Sequence, residues 1–348
     1  MAHVAAPPHH RMFVDGEFAE SSSGKTIAVI NPSNEKFIAE VPSCTAAEAG
    51  AAVLAAERAQ KLWARRPAIE RAGYLREIAQ LVRANADAIA HTLSEEQGKI
   101  LGLAKVEANF TADYFDYMAE FARRFMGEII QSDRANENIM MFKMPIGVIA
   151  GILPWNFPFF LIARKMAPAL VTGNTIVIKP SSETPLNAFL FAELVAKSSL
   201  PKGVFNLISG SGTVVGNALA AHPRVGMVSL TGSVEGGVAV MRAASENVTK
   251  VSLELGGKAP AIVTPSADLD LAAASIRASR IINTGQVCNC AERVYVHESV
   301  AEAFTAKVIQ LMKATTVGDV LARPEVEMGP LVSKAQLENV TAAVERAK

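Results

Sequence analysis

The sequence predicts an α/β protein with a doubly wound parallel sheet, the arrangement of nucleotide-binding domains, followed by a second α/β domain. From residue 146 onward, short apolar segments alternate with longer helical patterns. Such alternation is typical of βαβ units whose sheet is covered on both faces. The same alternation resumes after Gly256-Gly257, whereas residues 45–126 show only helical periodicity.

Composition limits the classes of function. The chain has 348 residues, enough for two or three domains, with 50% hydrophobic and 20% charged residues. Because the net charge is zero, neither nucleic acid nor an anionic membrane is expected as a partner. No apolar run reaches the roughly 18 residues that cross a bilayer, and no secretory signal is visible at the start. Three cysteines indicate a reducing compartment, so we expect a cytoplasmic protein.

The N-terminal part is predicted to be mainly helical. Residues 1–10 are expected to form a flexible tail, and a short hairpin is predicted at 13–18 around Asp15-Gly16. Thr45 is predicted to cap the first helix. The predicted helices cover residues 45–61, 68–84, 86–98 and 101–126. Residues 128–145 are strand-like with charges at their ends, and we expect an exposed β-ribbon there that pairs subunits.

The remaining chain is assigned to two α/β domains. Apolar strands are predicted at 148–153, 175–179, 204–208, 227–230 and 250–254, separated by helices at 157–171, 185–197, 214–221 and 234–245. Strands at 261–263 and 293–297 follow, with helices at 267–283, 300–314 and from 333. The predicted division is a nucleotide-binding domain at 1–127 and 146–255, the ribbon at 128–145, and an incomplete second domain at 256–348.

The ends of the predicted strands carry the candidate site residues, because open parallel sheets bind ligands beyond their carboxyl ends. Asn156 follows the first of these strands, between Pro154 and Pro158. The two prolines fix the backbone. Asn156 then either caps the next helix or presents its amide N–H as an oxyanion donor.

Three further strand ends suit a nucleotide and a general base. Lys179 offers a cation for a ribose or a phosphate, although a surface lysine is the alternative. Gly232 and Ser233 open a helix directly, with free N–H groups and a hydroxyl for a pyrophosphate. Glu254 closes a strand predicted to be buried. It is either a general base with a pKa raised by desolvation or the structural partner of a lysine.

The segment 282–293, INTGQVCNCAER, supplies the candidate nucleophile. Cys288 and Cys290 lie there in a polar loop beside small and amide residues, as nucleophilic cysteines often do. The alternative is a buried cysteine that acts as a small hydrophobe. A cysteine hydrolase would need a histidine partner, and His91, His222 and His297 are isolated from any such motif.

In their order along the chain, PWNFP, KPSSETP, LTGS, LELGGK and GQVC resemble the motifs of the NAD(P)-dependent aldehyde dehydrogenase superfamily. The resemblance covers almost the whole chain, and the sequence around the motifs is most similar to the bacterial lactaldehyde and glycolaldehyde dehydrogenases. It implies an aldehyde dehydrogenase-like fold. It also implies that Cys288 is the nucleophile, Asn156 the oxyanion amide and Glu254 the general base that completes hydrolysis, with Cys290 a bystander.

The resemblance further implies the cofactor and the assembly. The cofactor is NAD or NADP, and the subunits form a homodimer or homotetramer. The positions that it assigns to the cofactor are Trp155, Lys179, Ser182, Gly212, Gly232, Ser233, Leu255 and Gly256. Ser182 stands where NAD-preferring members usually carry a glutamate, which repels a 2′-phosphate, so we expect NADP to be tolerated. Glu183, one residue later, is left open as a substitute.

The substrate is expected to be a small aldehyde, and no metal is expected. Phe157, Leu161 and Arg164 are spaced to share one face of the helix after PWNFP, which the resemblance places along the aldehyde tunnel. An arginine there favours a hydroxyaldehyde such as lactaldehyde or glycolaldehyde, unless it faces solvent or pairs with a carboxylate. A semialdehyde is the alternative substrate. Since family members continue beyond residue 348, we expect a partial chain, for which a catalytically silent nucleotide-binding protein is a further alternative.

Overall fold

The computed structural model describes residues 9–348, and most of the expected tail lies outside them. The strands are β1 (Met12–Val14), β2 (Glu17–Ala19), β3 (Thr26–Ile30), β4 (Phe37–Pro42), β5 (Glu128–Gln131), β6 (Asn138–Met141), β7 (Val148–Ile152), β8 (Thr175–Lys179), β9 (Phe205–Leu207), β10 (Val225–Thr231), β11 (Lys250–Glu254), β12 (Pro260–Val263) and β13 (Arg293–Val296). The α-helices are α1 (Ala46–Trp63), α2 (Ala68–Ala84), α3 (Ala86–Gln97), α4 (Leu101–Ala119), α5 (Pro158–Val171), α6 (Leu186–Ala196), α7 (Asn217–Ala220), α8 (Val234–Ser245), α9 (Leu269–Ile281), α10 (Glu298–Ala314) and α11 (Lys334–Ala347).

A seven-stranded sheet in the order β11-β10-β7-β8-β9-β1-β2 forms the centre of the molecule. The strands from β11 to β9 are parallel, as the alternating sequence pattern predicted. The prediction of a purely parallel sheet is wrong, because the N-terminal hairpin adds β1 and β2 as two antiparallel strands. The α/β class is confirmed, with a mixed sheet.

Alternate residues of β8 show how the sheet is covered on both faces. Ile176 and Ile178 point into the apolar cluster that helices α2 to α6 build on one face. Val177 points into a second cluster on the other face, which α1, α7 and α8 supply through residues such as Val53 and Val240. Because all five residues of β8 are buried, the strand reads as a continuous apolar run rather than an alternating one.

Helix α1 begins where the sequence predicted. The Thr45 hydroxyl accepts a hydrogen bond from the N–H of Glu48, whose carboxylate accepts one from the N–H of Thr45, a capping box. The helix predicted at 101–126 is too long, since α4 ends at Ala119 and a short 3₁₀ turn follows. Strands β3 and β4 were not predicted; they form a hairpin whose side chains are only partly buried.

Strands β5 and β6 form the expected ribbon. They pair antiparallel with each other, and every residue in both strands is exposed. A Cβ on Gly127 would lie 2.1 Å from the carbonyl oxygen of Met141, so a glycine is required where the chain enters the ribbon. Ile129 is 79% exposed and Met144, just after the ribbon, is 80% exposed. The ribbon therefore presents apolar side chains to its surroundings.

The region after residue 256 contains a second, smaller sheet. Strands β12 and β13 pair in parallel, and α9 and α10 pack around a small apolar cluster that includes Val263, Ala273 and Phe304. The predicted strands and helices here are present with ends shifted by a few residues. The connection between α9 and β13 carries Cys288.

Candidate active site

The site lies where the strand order of the main sheet reverses. From β7 the chain steps outward through β8 to β9, then returns past β7 to form β10 and β11. A crevice at such a reversal, beyond the carboxyl ends of the strands, is the usual ligand site of an open α/β sheet. The segments that follow β7, β8, β10 and β11 carry PWNFP, KPSSETP, TGS and LGGK. The structure therefore brings the predicted strand-end motifs to one edge.

Asn156 is held on several sides. Its side-chain Nδ2 donates a hydrogen bond to the carbonyl oxygen of Gln286 at 2.9 Å, and its Oδ1 accepts one from the N–H of Phe157. Its own carbonyl oxygen accepts hydrogen bonds from Lys99 Nζ at 2.7 Å and from Asn283 Nδ2 at 3.1 Å. The side-chain amide of Asn156 thus points at the cysteine loop, which it contacts at Gln286, two residues before Cys288.

The alternative that Asn156 caps the following helix is wrong. Phe157 occupies the cap position and makes no side-chain cap. The free N–H groups of Phe159 and Phe160 donate instead to the carboxylate of Glu107, at 3.0 and 3.1 Å. Because a carboxylate from α4 satisfies the first turn of α5, the amide of Asn156 is left for the cysteine loop.

The two cysteines of the loop differ in surroundings. Cys288 is exposed, whereas Cys290 is buried and its Sγ lies 3.2 Å from Nη1 of Arg280. Asn283 and Thr284 both have positive φ angles, 48° and 59°, a conformation that L-residues rarely adopt. Such backbone geometry persists only where the surrounding structure enforces it, and it is common at functional sites.

Glu254 lies at the end of β11, beside this loop. Its backbone is joined to the neighbouring strand end, because the N–H of Gly232 donates to its carbonyl oxygen at 3.0 Å. A Cβ on Gly257 would lie 3.4 Å from the carbonyl oxygen of Cys288. The expectation that the strand is buried is wrong, since most of β11 and the Glu254 side chain are exposed.

Lys165 is a functional candidate that the sequence analysis missed. It lies on the buried face of α5, and its ammonium donates to the hydroxyls of Ser229 at 2.9 Å and Thr231 at 3.0 Å. Burial lowers its pKa to about 7, while the nearby charge of Glu254 acts in the opposite direction. The signal in the sequence was a lysine four residues after Leu161, on an otherwise apolar face.

The nucleotide side of the crevice contains Lys179, Ser182 and Ser233. Lys179 is only 4% exposed, so the surface-lysine alternative is wrong. Burial lowers its pKa to about 8, and its Nζ donates to the carbonyl oxygen of Pro180. An ammonium has three N–H donors, so two remain for a ligand. Ser182 lies 3.4 Å from the carbonyl oxygen of Gly210, which joins the loops after β8 and β9.

Ser233 opens α8 and caps it, since its hydroxyl accepts from the N–H of Gly236 at 3.1 Å. The remaining N–H groups of the first turn suit a phosphate. Gly212 begins a turn of π-helix, Gly212–Gly216, on the neighbouring loop, and a Cβ added to it would meet no atom of residues 9–348 within 4 Å. Together with the buried cation of Lys179, these donors fit a dinucleotide.

The other predicted cofactor positions occupy the same edge. Trp155 is half-buried, and its carbonyl oxygen accepts from the Thr184 hydroxyl at 3.3 Å. Leu255 packs against Gly237 of α8, where a Cβ would lie 2.9 Å from its methyl carbon. Gly256 is exposed with open space beside it.

The three predicted substrate residues differ in exposure. Phe157 is half-buried, and its ring covers Lys99, with Nζ 3.8 Å from the ring centroid. Leu161 is 8% exposed, and Arg164 is exposed. The charge of Arg164 acts on the Tyr114 phenol, although burial, which raises the pKa of that group, is the larger effect.

The sequence of residues 18–348 matches the pattern of the aldehyde dehydrogenase family. The chain belongs to the aldehyde dehydrogenase family. Its activity is the NAD(P)-dependent oxidation of an aldehyde to a carboxylic acid, so this prediction from the motifs is confirmed.

Several members of the aldehyde dehydrogenase family are close in sequence and structure. The chain is 54% identical to lactaldehyde dehydrogenase of Escherichia coli over 99% of its own length and 72% of the relative's. The crystal structure of the E. coli lactaldehyde dehydrogenase superposes with a TM-score of 0.97 at 55% identity, covering 98% of this chain and 72% of that one. These likenesses confirm the resemblance to the lactaldehyde dehydrogenases.

Two more distant relatives differ in cofactor. The NADP⁺-dependent succinate-semialdehyde dehydrogenase of E. coli is 41% identical over 94% of this chain and 68% of its own length. Betaine aldehyde dehydrogenase of Staphylococcus aureus, solved in complex with NAD⁺, is 34% identical with a TM-score of 0.94. It matches 97% of this chain, which spans 67% of that one. Relatives thus use either cofactor.

The described part of the chain contains neither a metal-binding cluster nor a membrane-spanning helix. Across residues 9–348, no group of three His, Cys, Asp or Glu side chains is placed to hold a metal ion. Within the same residues, no helix combines the length and apolarity needed to cross a membrane.

Proposed function

We propose that this dehydrogenase oxidises a small hydroxyaldehyde, such as lactaldehyde or glycolaldehyde, through a covalent intermediate on Cys288. The observation that carries the proposal is the contact between Asn156 and the cysteine loop. The Asn156 amide reaches the carbonyl oxygen of Gln286, two residues before an exposed thiol. A thiol and a fixed N–H donor at one point of a ligand crevice suit addition to a carbonyl.

In the first step, the thiolate of Cys288 adds to the aldehyde carbon. The carbonyl π electrons move to oxygen, and the new C–S bond gives a thiohemiacetal anion. The side-chain amide of Asn156 and the N–H of Cys288 stabilise this oxyanion. Lys179, Ser182 and Ser233 would hold the nicotinamide cofactor, which would supply the acceptor for the hydride that leaves the substrate carbon. Cys288 is then left as a thioester.

In the second step, Glu254 takes a proton from water, which attacks the thioester carbon. The C–S bond breaks, the acid leaves and the Cys288 thiolate is restored. The exposed carboxylate of Glu254 has solvent within reach, which suits this role. A glutamate at this position also favours hydrolysis over transfer of the acyl group to coenzyme A.

We propose that both NAD and NADP are accepted. Ser182 carries no charge, and its hydroxyl lies at the junction of two loops near Gly210. A 2′-phosphate next to Ser182 meets no carboxylate from that residue, whereas a glutamate there would repel it. The exposed carboxylate of Glu183 is the nearest sequence alternative.

Arg164 supports a polar substrate. Its exposed guanidinium lies on α5, the helix that follows the oxyanion segment, near the Tyr114 phenol. A guanidinium donates hydrogen bonds to a hydroxyl and pairs with a carboxylate. The likeness to lactaldehyde dehydrogenase favours the hydroxyaldehyde. A semialdehyde is the second candidate, because its carboxylate would also suit Arg164 and one relative acts on succinate semialdehyde.

We also propose a cytoplasmic homodimer or homotetramer. The ribbon of β5 and β6 exposes an apolar surface suited to pairing with another copy. All three cysteines are free, which suits a reducing compartment. Residues 1–127 and 146–255 are assigned to the nucleotide and residues from 256 to the catalytic part, with the site between them.

Steady-state kinetics with both cofactors and a panel of aldehydes tests the proposal. The panel contains glycolaldehyde, lactaldehyde, succinate semialdehyde and an apolar aldehyde of similar size. We expect the highest kcat/KM with a hydroxyaldehyde, and loss of all turnover in Cys288→Ala but not in Cys290→Ala. A preference for the semialdehyde supports the second candidate. Nucleotide binding without turnover of any aldehyde indicates a catalytically silent protein instead.

The Arg164→Leu variant separates the two substrate candidates further. We expect its KM for glycolaldehyde to rise about 10-fold, the effect of one lost hydrogen bond to a charged group. The KM for the apolar aldehyde should stay within about twofold, since no polar contact is lost there. An equal change for all aldehydes contradicts the proposed role of Arg164.

A further inference from the structure

A buried group of charged side chains contacts Asn156 and the start of α5, and it has no role in the mechanism above. Glu96, Lys99 and Glu107 are 0%, 1% and 3% exposed. Taking three charges out of water is costly unless each is paired or hydrogen-bonded. Replacing such a group by apolar side chains often leaves stability unchanged or improved. Stability alone therefore does not explain why these three charges are buried here.

Each carboxylate of the group accepts hydrogen bonds from the free N–H groups at the start of one helix near the site. Glu107 accepts from the N–H groups of Phe159 and Phe160 in α5. Glu96 accepts from the N–H groups of Leu186 and Asn187 in α6, at 2.7 and 2.9 Å. Burial raises the pKa of Glu96 to about 7. The two carboxylates thus fix the start of α5, which follows Asn156, and the start of α6, which follows Lys179 and Ser182.

Lys99 makes different contacts. Its Nζ pairs with Glu107, donates to the carbonyl oxygen of Asn156 at 2.7 Å and lies over the ring of Phe157. Two of its three partners thus belong to the segment that carries the oxyanion amide. Asn283 donates to the same carbonyl oxygen from the side of the cysteine loop.

We propose that Lys99 is a positioning residue for the reaction: it holds the main chain of Asn156 so that the side-chain amide meets the oxyanion formed at Cys288. This inference rests on the proposed function. A donor contributes to the transition state only if it lies at hydrogen-bond distance from the developing charge. A displacement of about 1 Å is enough to lower a rate about 100-fold. The cation in the interior thereby fixes the direction of an amide that substrate touches.

The test uses a charge-balanced variant. Lys99→Met alone leaves Glu107 buried without its cation, which destabilises the fold. Lys99→Met/Glu107→Gln removes both charges together, and Glu107→Gln keeps the contact between Lys99 and Asn156. We expect the double variant to have a kcat about 10- to 100-fold below that of Glu107→Gln. The KM for the cofactor and the melting temperature of the double variant should stay close to those of Glu107→Gln. A kcat equal to that of Glu107→Gln overturns the proposal.

A second comparison asks whether Lys99 acts through Asn156. In an Asn156→Ala background the amide is gone, so adding Lys99→Met/Glu107→Gln should lower kcat by less than about twofold beyond Glu107→Gln in that background. A purely structural role predicts the full loss in both backgrounds, and that outcome also overturns the proposal. Lys105→Met is the control, because this exposed lysine of α4 pairs with Asp87 on the surface. It should leave kcat unchanged.

A further readout separates this inference from the proposed function. Hydrolysis of p-nitrophenyl acetate by the Cys288 thiol forms the same kind of oxyanion without cofactor or aldehyde. We expect the double variant to lose this activity by a similar factor. A wild-type protein with neither activity contradicts the proposed function. An active wild type whose double variant keeps both activities contradicts only the role of Lys99.

Discussion

The side-chain Nδ2 of Asn156 donates a hydrogen bond to the main-chain carbonyl oxygen of Gln286 at 2.9 Å, across 130 residues of sequence. The contact joins the segment after β7 to the loop that carries Cys288. Since Gln286 Oε1 also accepts from the N–H of Val332 at 3.0 Å, the loop is held from two directions. The position of the thiol relative to the amide therefore depends on contacts between distant parts of the chain.

Asn156→Ala tests the oxyanion role directly. We expect kcat for aldehyde oxidation to fall about 100- to 1000-fold, the usual effect of removing one oxyanion donor. The affinity for the cofactor, measured by fluorescence titration, should not change. Asn109→Ala is a matched control, because this exposed amide on α4 donates to the carbonyl oxygen of Lys105 in its own helix. An Asn156→Ala variant within about twofold of the wild type would exclude the amide from the reaction.

Glu254→Gln should separate the two chemical steps. Formation of the thioester needs no base at Glu254, whereas its hydrolysis does, so rapid-mixing absorbance should show a burst of reduced cofactor equal to the active sites. A steady state about 100-fold or more below the wild type follows. Glu246→Gln, an exposed carboxylate at the end of α8, is the control. Unchanged steady-state turnover in Glu254→Gln would contradict the assignment of the base.

The lowered pKa of Lys165, about 7, predicts a pH dependence of stability. Between about pH 7 and the ordinary lysine value, the folded state has lost this proton while the unfolded chain keeps it. The wild type therefore gains stability as pH rises through this window, by about 1.4 kcal/mol for each unit. Methionine does not titrate. The melting temperature of Lys165→Met, relative to the wild type, should fall between about pH 6 and about pH 9.

The control for Lys165 is a lysine in water. Lys105→Met removes an exposed side chain, so its melting temperature should differ from that of the wild type by the same amount throughout the window. A pH-independent difference for Lys165→Met as well would show that the buried ammonium keeps its proton over the whole range.

Ser182→Glu should shift the cofactor preference toward NAD. A carboxylate at this position repels the 2′-phosphate, so kcat/KM for NADP should fall about 10- to 100-fold while that for NAD stays or rises. Initial rates with each cofactor at saturating aldehyde measure the ratio. Glu183→Ser is the matched test of the neighbouring carboxylate. If that variant changes the ratio more than Ser182→Glu does, Glu183 is the residue that meets the ribose.

Ile129→Lys should weaken subunit association. Ile129 is 79% exposed on β5, and a charge there opposes burial between two copies. We expect sedimentation velocity to show a smaller species than the wild type at the same concentration. Leu62→Lys, which alters an apolar side chain that is 70% exposed on α1, should leave the assembly unchanged. A wild type that already sediments as a monomer would contradict the proposed pairing.

Much of the fold was predictable because its signals are local. The periodicity of apolar residues predicted β8, β11 and α8 to the residue. The capping role of Thr45 was predicted from its position directly before a helical pattern. Strands β3 and β4 were missed because their half-exposed side chains give weak alternation.

The site was predictable only in part, for a physical reason. The residue types at strand ends identified Asn156 and Lys179, since topology alone brings such ends together. The contact between Lys99 and Asn156 spans 57 residues and leaves no periodic trace. The positive φ angles of Asn283 and Thr284 are likewise imposed by tertiary contacts, because nothing in those residue types requires them.

The N-terminal hairpin has a consequence for synthesis of the protein. One edge of strand β1 pairs with the adjacent β2, but its other edge pairs with β9, where Phe13 lies opposite Leu207, and the N–H of Asp15 donates to Asn206, 191 residues later. Translation proceeds from the N-terminus at about 5 to 20 residues per second. The edge of β1 that pairs with β9 therefore stays unpaired for about ten seconds or more during synthesis. During that interval Phe13, buried in the finished protein, is available to chaperones.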